Sequence, residues 1–335
     1  MKIAFFSAKS YEQPFFEQAN EGLGHEFKFI DCHLERSTVE FAQDCQAVCV
    51  FVNDDLSRCT LLKLKEQGVK LIALRCAGYN NVDLDSAAEL GLDVVRVPSY
   101  SPDAVAEHAI ALILTLNRKT HKAYNRTREA NFSIDGLMGF DLKGKTVGIF
   151  GLGQIGHSFA ERMAAFGCKI LVHDPYLNEI THDYDLVTSC EIFKQADIIS
   201  LHCPLTPETH HMIDSKAIQA MKPGVMLINT SRGAVVDTKS VIQGLKTGHI
   251  GYFALDVYEE EADYFFEDLS NTVVCDDSLA RLMTFPNVLI TGHQAFFTQE
   301  AMEQIAQTTM NSVEDSAQGR KLANQVTAPL RTVVV

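Results

Sequence analysis

The sequence has no excess of positive charge, no CxxC pair, no HExxH or HxxxH pattern and no apolar run long enough to span a bilayer. Each absence removes a class of function. With 29 Lys and Arg against 43 Asp and Glu, the net charge of -14 excludes a broad nucleic-acid or anionic-membrane surface. A site for a small anion would have to gather a few cations and backbone N–H groups against that field. The nine cysteines (32, 45, 49, 59, 76, 168, 190, 203 and 275) are odd in number and scattered, so neither a disulfide framework nor a zinc site is expected. They read as reduced, mostly buried thiols. His210 and His211 are merely adjacent, and no metal is expected. The longest apolar stretch, residues 104–117, contains Glu107 and His108 and falls short of a membrane span. The opening segment has too short an apolar run and no small-residue cleavage site for a signal peptide, so the expected compartment is the cytoplasm.

What remains is an ordinary globular composition, 46% hydrophobic and 21% charged, in a 335-residue chain long enough for two domains. Short β-branched or aromatic runs at 2–6, 26–31, 47–52, 70–76 and 93–98 alternate with amphipathic segments, which predicts an α/β domain with a parallel sheet. A long helix opened by Ser101 and Pro102 leads to a second series of six runs: 145–151, 169–174, 197–203, 225–231, 252–258 and 288–293. The final helical pattern, 298–319, has apolar residues at Met302, Ile305, Ala306, Met310 and Val313 and is expected to return to the first domain. The predicted domains are therefore 1–100 with 299–335, and 101–298.

Gly151, Gly153 and Gly156 stand in GxGxxG spacing between an apolar strand and a helical pattern. Such glycines permit a tight turn, backbone approach to a pyrophosphate and close helix–strand packing, while the helix N-terminus offers N–H groups to the phosphates. Asp174 closes the next strand, 18 residues after Gly156, where a ribose-binding carboxylate belongs. Its charge would repel a 2′-phosphate and no arginine adjoins it, which predicts NAD over NADP.

Three polar positions fall at strand ends of the same series: Arg232, a run of Glu259, Glu260 and Glu261, and His293. An arginine fork suits a carboxylate, and a histidine paired with a glutamate suits proton transfer near neutral pH. Spacing does not choose among the three glutamates.

The segments GLGQIG, HCPLTPET, MKPGVMLINTSRGAVVD, ALDVYEEE and TGHQAFFT, in that order, resemble the D-isomer-specific 2-hydroxyacid dehydrogenase family. RCAGYNNVDLDSAAELGL and VRVPSYSPDAVAEHAIALILTLNRKTH extend the likeness over nearly the whole chain. The insertion from FFEDLSN to LARLMTFPNV is similar to that of the family's fermentative D-lactate dehydrogenases, and Gly292 stands where proline is common before the family histidine. The resemblance implies two Rossmann-like domains, a flavodoxin-like substrate domain and an NAD-binding Rossmann domain, with the active site in the cleft between them. It places the catalytic set on Arg232, Glu261 and His293. NAD contacts are implied at Gly151, Gly153, Gln154, Ile155, Gly156, Asp174, Cys203, Pro204, Thr209, Thr230, Ser231 and Asp256. Substrate contacts are implied at Ala77, Gly78, Tyr100 and Arg232, with Phe296 as a wall beside a substrate methyl group. The activity it implies is reversible reduction of pyruvate to D-lactate in a homodimer or homotetramer. The alternatives are another 2-oxo acid, such as hydroxypyruvate, glyoxylate or a branched-chain acid, and a non-catalytic NADH sensor of the corepressor type.

Overall fold

A computed structural model describes residues 1–179, 183–261 and 264–327. The chain forms two compact units, Met1–Ser101 with the stretch from Phe297 onward, and Pro102–Phe296. The junctions fall at helix and contact boundaries. Pro102 opens a helix, and Phe297 packs edge-on against Tyr11 of the first unit at 4.8 Å. The last part of the predicted first domain, 328–335, lies outside the described residues.

In the first unit β1 (Lys2–Phe5), β2 (Glu26–Phe29), β3 (Ala47–Val50), β4 (Leu71–Leu74) and β5 (Asp93–Val95) form a parallel sheet in the order β2-β1-β3-β4-β5. This is the flavodoxin-like strand order. β3 and β4 are buried along their whole length, as strands covered on both faces must be, and they read as unbroken apolar runs. Thr298 caps the helix Gln299–Ala317 by accepting from the Ala301 N–H. Its apolar stripe, Met302, Ile305, Ala306, Met310 and Val313, is buried, and the helix packs on the helix Gln13–Ala19 and on β4.

Just past β4, Arg75 is enclosed by the first unit. Its Nε and Nη2 donate to Glu12 at 2.9 and 3.2 Å, Nη2 donates to the Ser7 carbonyl, and the guanidinium lies over the Phe5 and Phe51 rings. Burial opposes the Arg75 charge, yet Glu12 outweighs it and holds the guanidinium above its ordinary value.

The second unit contains β6 (Thr146–Phe150), β7 (Lys169–His173), β8 (Asp185–Leu186), β9 (Ile198–Leu201), β10 (Val225–Asn229), β11 (Ile250–Leu255) and β12 (Val288–Ile290). The order is β12-β11-β10-β9-β6-β7-β8, all parallel, with the direction of winding reversing between β6 and β9. That is the doubly wound dinucleotide-binding order, whose ligand crevice lies beyond the strands' carboxyl ends at the switch point. The sheet has seven strands where six apolar runs were legible. β8 is a two-residue edge strand, exposed at both positions, and leaves no periodic trace.

The strands also stop earlier than their apolar runs, and at β10 and β12 this moves functional candidates off the strand ends. β10 ends at Asn229 because the Asn229 side chain accepts from the Ser231 N–H and donates to the Arg232 carbonyl, turning the chain out of the ladder. β12 ends at Ile290, so His293 stands on a loop. The cysteines likewise correct the expectation of mostly buried thiols. Cys45, Cys49, Cys76 and Cys203 are buried, but Cys32, Cys59, Cys190 and Cys275 are exposed on loops or outer helix faces.

Because a buried charge left alone costs far more than a buried pair, Glu12→Gln should destabilise the protein by about 3–5 kcal/mol in urea unfolding. The double change Glu12→Leu with Arg75→Met should recover most of that loss. A single variant as stable as the parent would show that the pair is not needed.

Candidate active site

The glycine loop follows β6. Gly151 has φ +89°, and a Cβ there would meet the Cys203 N and the His202 O, both at 2.9 Å. A Cβ on Gly156 would lie 2.0 Å from the Gly151 carbonyl oxygen, so the helix Gln154–Ala165 can start this close to the turn only with glycine. At Gly153, the N-cap, a Cβ would meet nothing within 4 Å. The bare backbone at the start of this helix leaves the room that close approach of a pyrophosphate requires.

Asp174, one residue past β7, turns toward this loop. Its Oδ2 accepts from the Leu152 N–H at 2.9 Å and its Oδ1 from the Tyr176 N–H at 3.0 Å. The carboxylate is thereby fixed beside the glycine turn with lone pairs still open to ribose hydroxyls. Beneath the turn His202 is half-buried, with Nε2 2.9 Å from Ser200 Oγ, and burial pushes its imidazole down to about 3, so it stays neutral. Burial also pushes the Cys203 thiol up to about 11, leaving no thiolate to oppose an anionic cofactor.

Cys203 and Pro204 shape the neighbouring wall: the Cys203 carbonyl accepts from Ser231 Oγ, and the Pro204 carbonyl accepts from Thr209 Oγ1 at 2.7 Å. Ser231 and Thr209 thus use their hydroxyls on the protein. Thr230 does not. Its Oγ1 is buried and has no partner among the described residues, an orphaned polar atom in the wall where a bound dinucleotide would supply one.

Arg232 follows on the same loop. Gly233 lets this segment press against the next, since a Cβ there would lie 2.1 Å from the Tyr258 carbonyl carbon. The Arg232 Nη1 donates to the Ser231 carbonyl at 2.7 Å, and its guanidinium has no carboxylate partner among the described residues. The remaining N–H groups are free to take an external carboxylate.

The structure separates the three glutamates. Glu259 is engaged by His211 Nε2 at 2.5 Å and Thr238 Oγ1 at 3.1 Å, tying together the segments that follow β9, β10 and β11. Glu260 is exposed. Glu261 accepts from the Tyr258 N–H at 2.9 Å through Oε2, and its Oε1 lies 2.9 Å from His293 Nδ1. A carboxylate only accepts, so Nδ1 carries a proton and Nε2, without a partner among the described residues, faces away from Glu261.

His293 holds a left-handed backbone conformation, φ +52°, rare for a residue with a side chain. Asp256, directly past β11, explains it. Its carbonyl accepts from the His293 N–H at 2.7 Å, and its carboxylate accepts from the Gln294 and Ala295 N–H groups at 2.9 and 2.8 Å and from Thr291 Oγ1. Burial alone would raise the Asp256 carboxyl, but hydrogen bonds from His108 and Thr291 and the nearby His293 outweigh it and hold it low. Asp256 was expected to contact the cofactor. It is completely buried and its acceptors are given over to the protein's own donors, so its work here is to shape the histidine loop.

Two aromatic rings flank His293. Phe296 is nearly buried, its ring centroid 6.4 Å away, and Phe266 lies 5.5 Å away with φ +71°. Sequence reasoning missed Phe266, which sits in the FFEDLSN insertion with no apolar periodicity to mark it. It missed His108 as well, whose ring reaches Thr291 and Asp256 from the helix Pro102–Arg118.

In the first unit the Arg96 guanidinium grips the Ala77 carbonyl at 2.8 Å, and Cys76 Sγ donates to the Gly78 carbonyl. The N–H groups of Ala77 and Gly78 have no partner among the described residues. Tyr100 is half-buried on the last segment before the junction.

Residues 110–295 match the model of the D-isomer specific 2-hydroxyacid dehydrogenase NAD-binding domain. The chain belongs to the D-isomer specific 2-hydroxyacid dehydrogenase family. The open space at Gly153, the fixed Asp174 and the orphaned Thr230 hydroxyl all fall within the span of this dehydrogenase that matches the NAD-binding domain. D-lactate dehydrogenase of Escherichia coli K12 is 51% identical over 331 residues, covering 97% of this chain and all of that one. The apo structure of the Escherichia coli D-lactate dehydrogenase superposes with a TM-score of 0.89 at 47% identity, covering 98% of this dehydrogenase and 100% of that chain. The pyruvate reductase of Chlamydomonas reinhardtii superposes with a TM-score of 0.91 at 38% identity, covering 97% and 98%.

Removing the Asp174 carboxylate by Asp174→Ala should lower the preference for NADH over NADPH, read as the ratio of kcat/KM values, by about 10- to 100-fold. A parent enzyme that used NADPH as well as NADH would contradict the reading of Asp174.

Proposed function

We propose that this protein is an NAD-dependent D-lactate dehydrogenase that reduces pyruvate to D-lactate and runs in reverse. The observation that carries the proposal is the 2.9 Å contact between His293 Nδ1 and Glu261 Oε1 in a unit whose Arg232 has no carboxylate partner among the described residues. The substrate class follows the relatives' activity. Arg232 takes the 2-oxo acid's carboxylate in its fork and fixes which atom faces His293. When bound at the glycine loop, NADH supplies the hydride that reaches the carbonyl carbon. His293, charged and held by Glu261, gives its Nε2 proton to the carbonyl oxygen as the alcohol forms, and takes it back in the reverse direction. Glu261 stabilises the imidazolium and keeps the ring from turning. In the first unit the N–H groups of Ala77 and Gly78, without a partner among the described residues, offer a nest for a carboxylate, and Tyr100 a pocket wall. Phe296 is read as the wall beside the substrate methyl group.

We read the protein as a homo-oligomer, a dimer or tetramer. Tyr124, Phe132, Ile134 and Met138 lie within fifteen residues of one another and are 61–85% exposed, an apolar surface that self-association would cover. The nine free thiols support a reducing compartment, the cytoplasm.

Purified protein given NADH and a panel of 2-oxo acids should turn over pyruvate best and yield D-lactate on chiral analysis. Tight NADH binding with negligible turnover on every acid would instead favour the sensor. Replacing His293 by Gln should lower pyruvate reduction by about 10²- to 10⁴-fold with NADH binding retained, and a small loss would remove it from the mechanism.

Ile134→Asp combined with Met138→Asp should shift sedimentation toward the monomer. An unchanged oligomer would place the interface elsewhere.

A further inference from the structure

The helix Pro102–Arg118 brings one polar ring under the His293 loop. It packs over β10, β11 and β12, and His108 lies four residues after buried Ala104 and four before buried Leu112, on the face turned to the sheet. The His108 side chain is only 17% exposed, with Nε2 3.1 Å from Thr291 Oγ1 and 3.4 Å from Asp256 Oδ1. The proton inventory sets the direction of these contacts. The Asp256 carboxylate only accepts, so Thr291 gives it the hydroxyl proton and meets His108 with a lone pair, which leaves Nε2 as the donor.

We propose that His108 is a positioning residue for the reaction, donating from Nε2 to Thr291 and Asp256 so that the Asp256 network holds His293 in its left-handed conformation with Nδ1 on Glu261. The inference rests on reading His293 as the acid/base. His108 is far from the catalytic ring in sequence and acts on it through Thr291 and Asp256. That carboxylate is enclosed, and every donor it receives counts toward keeping it charged. It is also the anchor of the Gln294 and Ala295 N–H groups that fold the chain back after His293. With the His108 donor gone, the Oδ1 side of the network loosens, and the loop is free to relax toward the negative φ that residues with side chains prefer.

The test compares His108→Leu and His108→Gln in the full-length protein, with His293→Gln as reference. Leu removes the donor, whereas the Gln amide nitrogen can stand near the place of Nε2. His108→Leu should lower kcat for pyruvate by at least about 10-fold, because a displaced catalytic group is penalised in the transition state, with KM and NADH affinity little changed. Hydrogen exchange at the Gln294 and Ala295 amides should accelerate in the same variant, and His108→Gln should restore most of both properties. Wild-type kcat or unchanged exchange in His108→Leu, or a His108→Gln variant as impaired as it, would overturn the proposal. Where His108→Leu does not fold, Thr291→Val takes its place as the broken link and must show the kcat loss that His108→Gln does not. Turnover surviving in His293→Gln would sink the underlying reading, whereas turnover lost there but intact in His108→Leu would sink this inference alone.

Discussion

A single buried carboxylate, Asp256, sets the geometry on which the rest of the second unit's chemistry depends. It stands where β11 ends, and within four residues of His293 it ties down the Thr291 hydroxyl and the Gln294 and Ala295 N–H groups, while its own carbonyl takes the His293 N–H. A charge so enclosed is tolerable only when fully hydrogen-bonded, which makes the arrangement close to all-or-none: the loop either satisfies Asp256 or leaves a costly buried charge. That coupling stabilises a backbone conformation at His293 that the residue would not choose alone. Glu261 then has to orient only a ring whose backbone is already fixed.

The cofactor side obeys a different constraint, close approach. Gly156 and Gly151 permit a helix to begin almost on top of a turn, and Gly233 permits the Arg232 loop to lie against the Tyr258 backbone. Both are contacts of backbone with backbone, and a methyl group at either place would force the loops apart. Asp174 links the two requirements, because the N–H it accepts belongs to Leu152, inside the glycine turn. The residue expected to read the ribose is also the one that fixes the turn.

Much of this was legible in the sequence because it is carried by local pattern. Buried parallel strands announce themselves as apolar runs, the glycine spacing states its own turn, and the stripe from Met302 to Val313 defines the last helix and its inward face. What was not legible depends on contacts across the chain. β8 is too short and too exposed to have a pattern. Arg232 and His293 read as strand ends, yet Asn229 turns the chain out before the first and β12 stops before the second. Composition could not distinguish Glu259 from Glu261. The difference is that His211 and Thr238 claim one and His293 the other. His108 could be seen only as a polar break in an apolar helix, since its partners lie at Asp256 and Thr291.

The first unit solves the same problem in the same way. Asp54, four residues past β3, is almost fully buried and accepts from Ser7 Oγ, the Leu34 N–H and the Phe51 N–H. Three loops leaving the carboxyl ends of neighbouring strands are thus gathered on one carboxylate, as the loop after β12 is gathered on Asp256. The Glu12–Arg75 pair adds a second buried tie at the ends of β1 and β4, next to the loop that carries Ala77 and Gly78. Parallel sheets leave their functional loops at the strand carboxyl ends with few backbone partners of their own. A short acidic side chain there can accept several N–H groups at once, and being buried it cannot be exchanged for water without a large cost. In both units, then, the charge that a strand end can least easily bury is the device that makes its loops rigid.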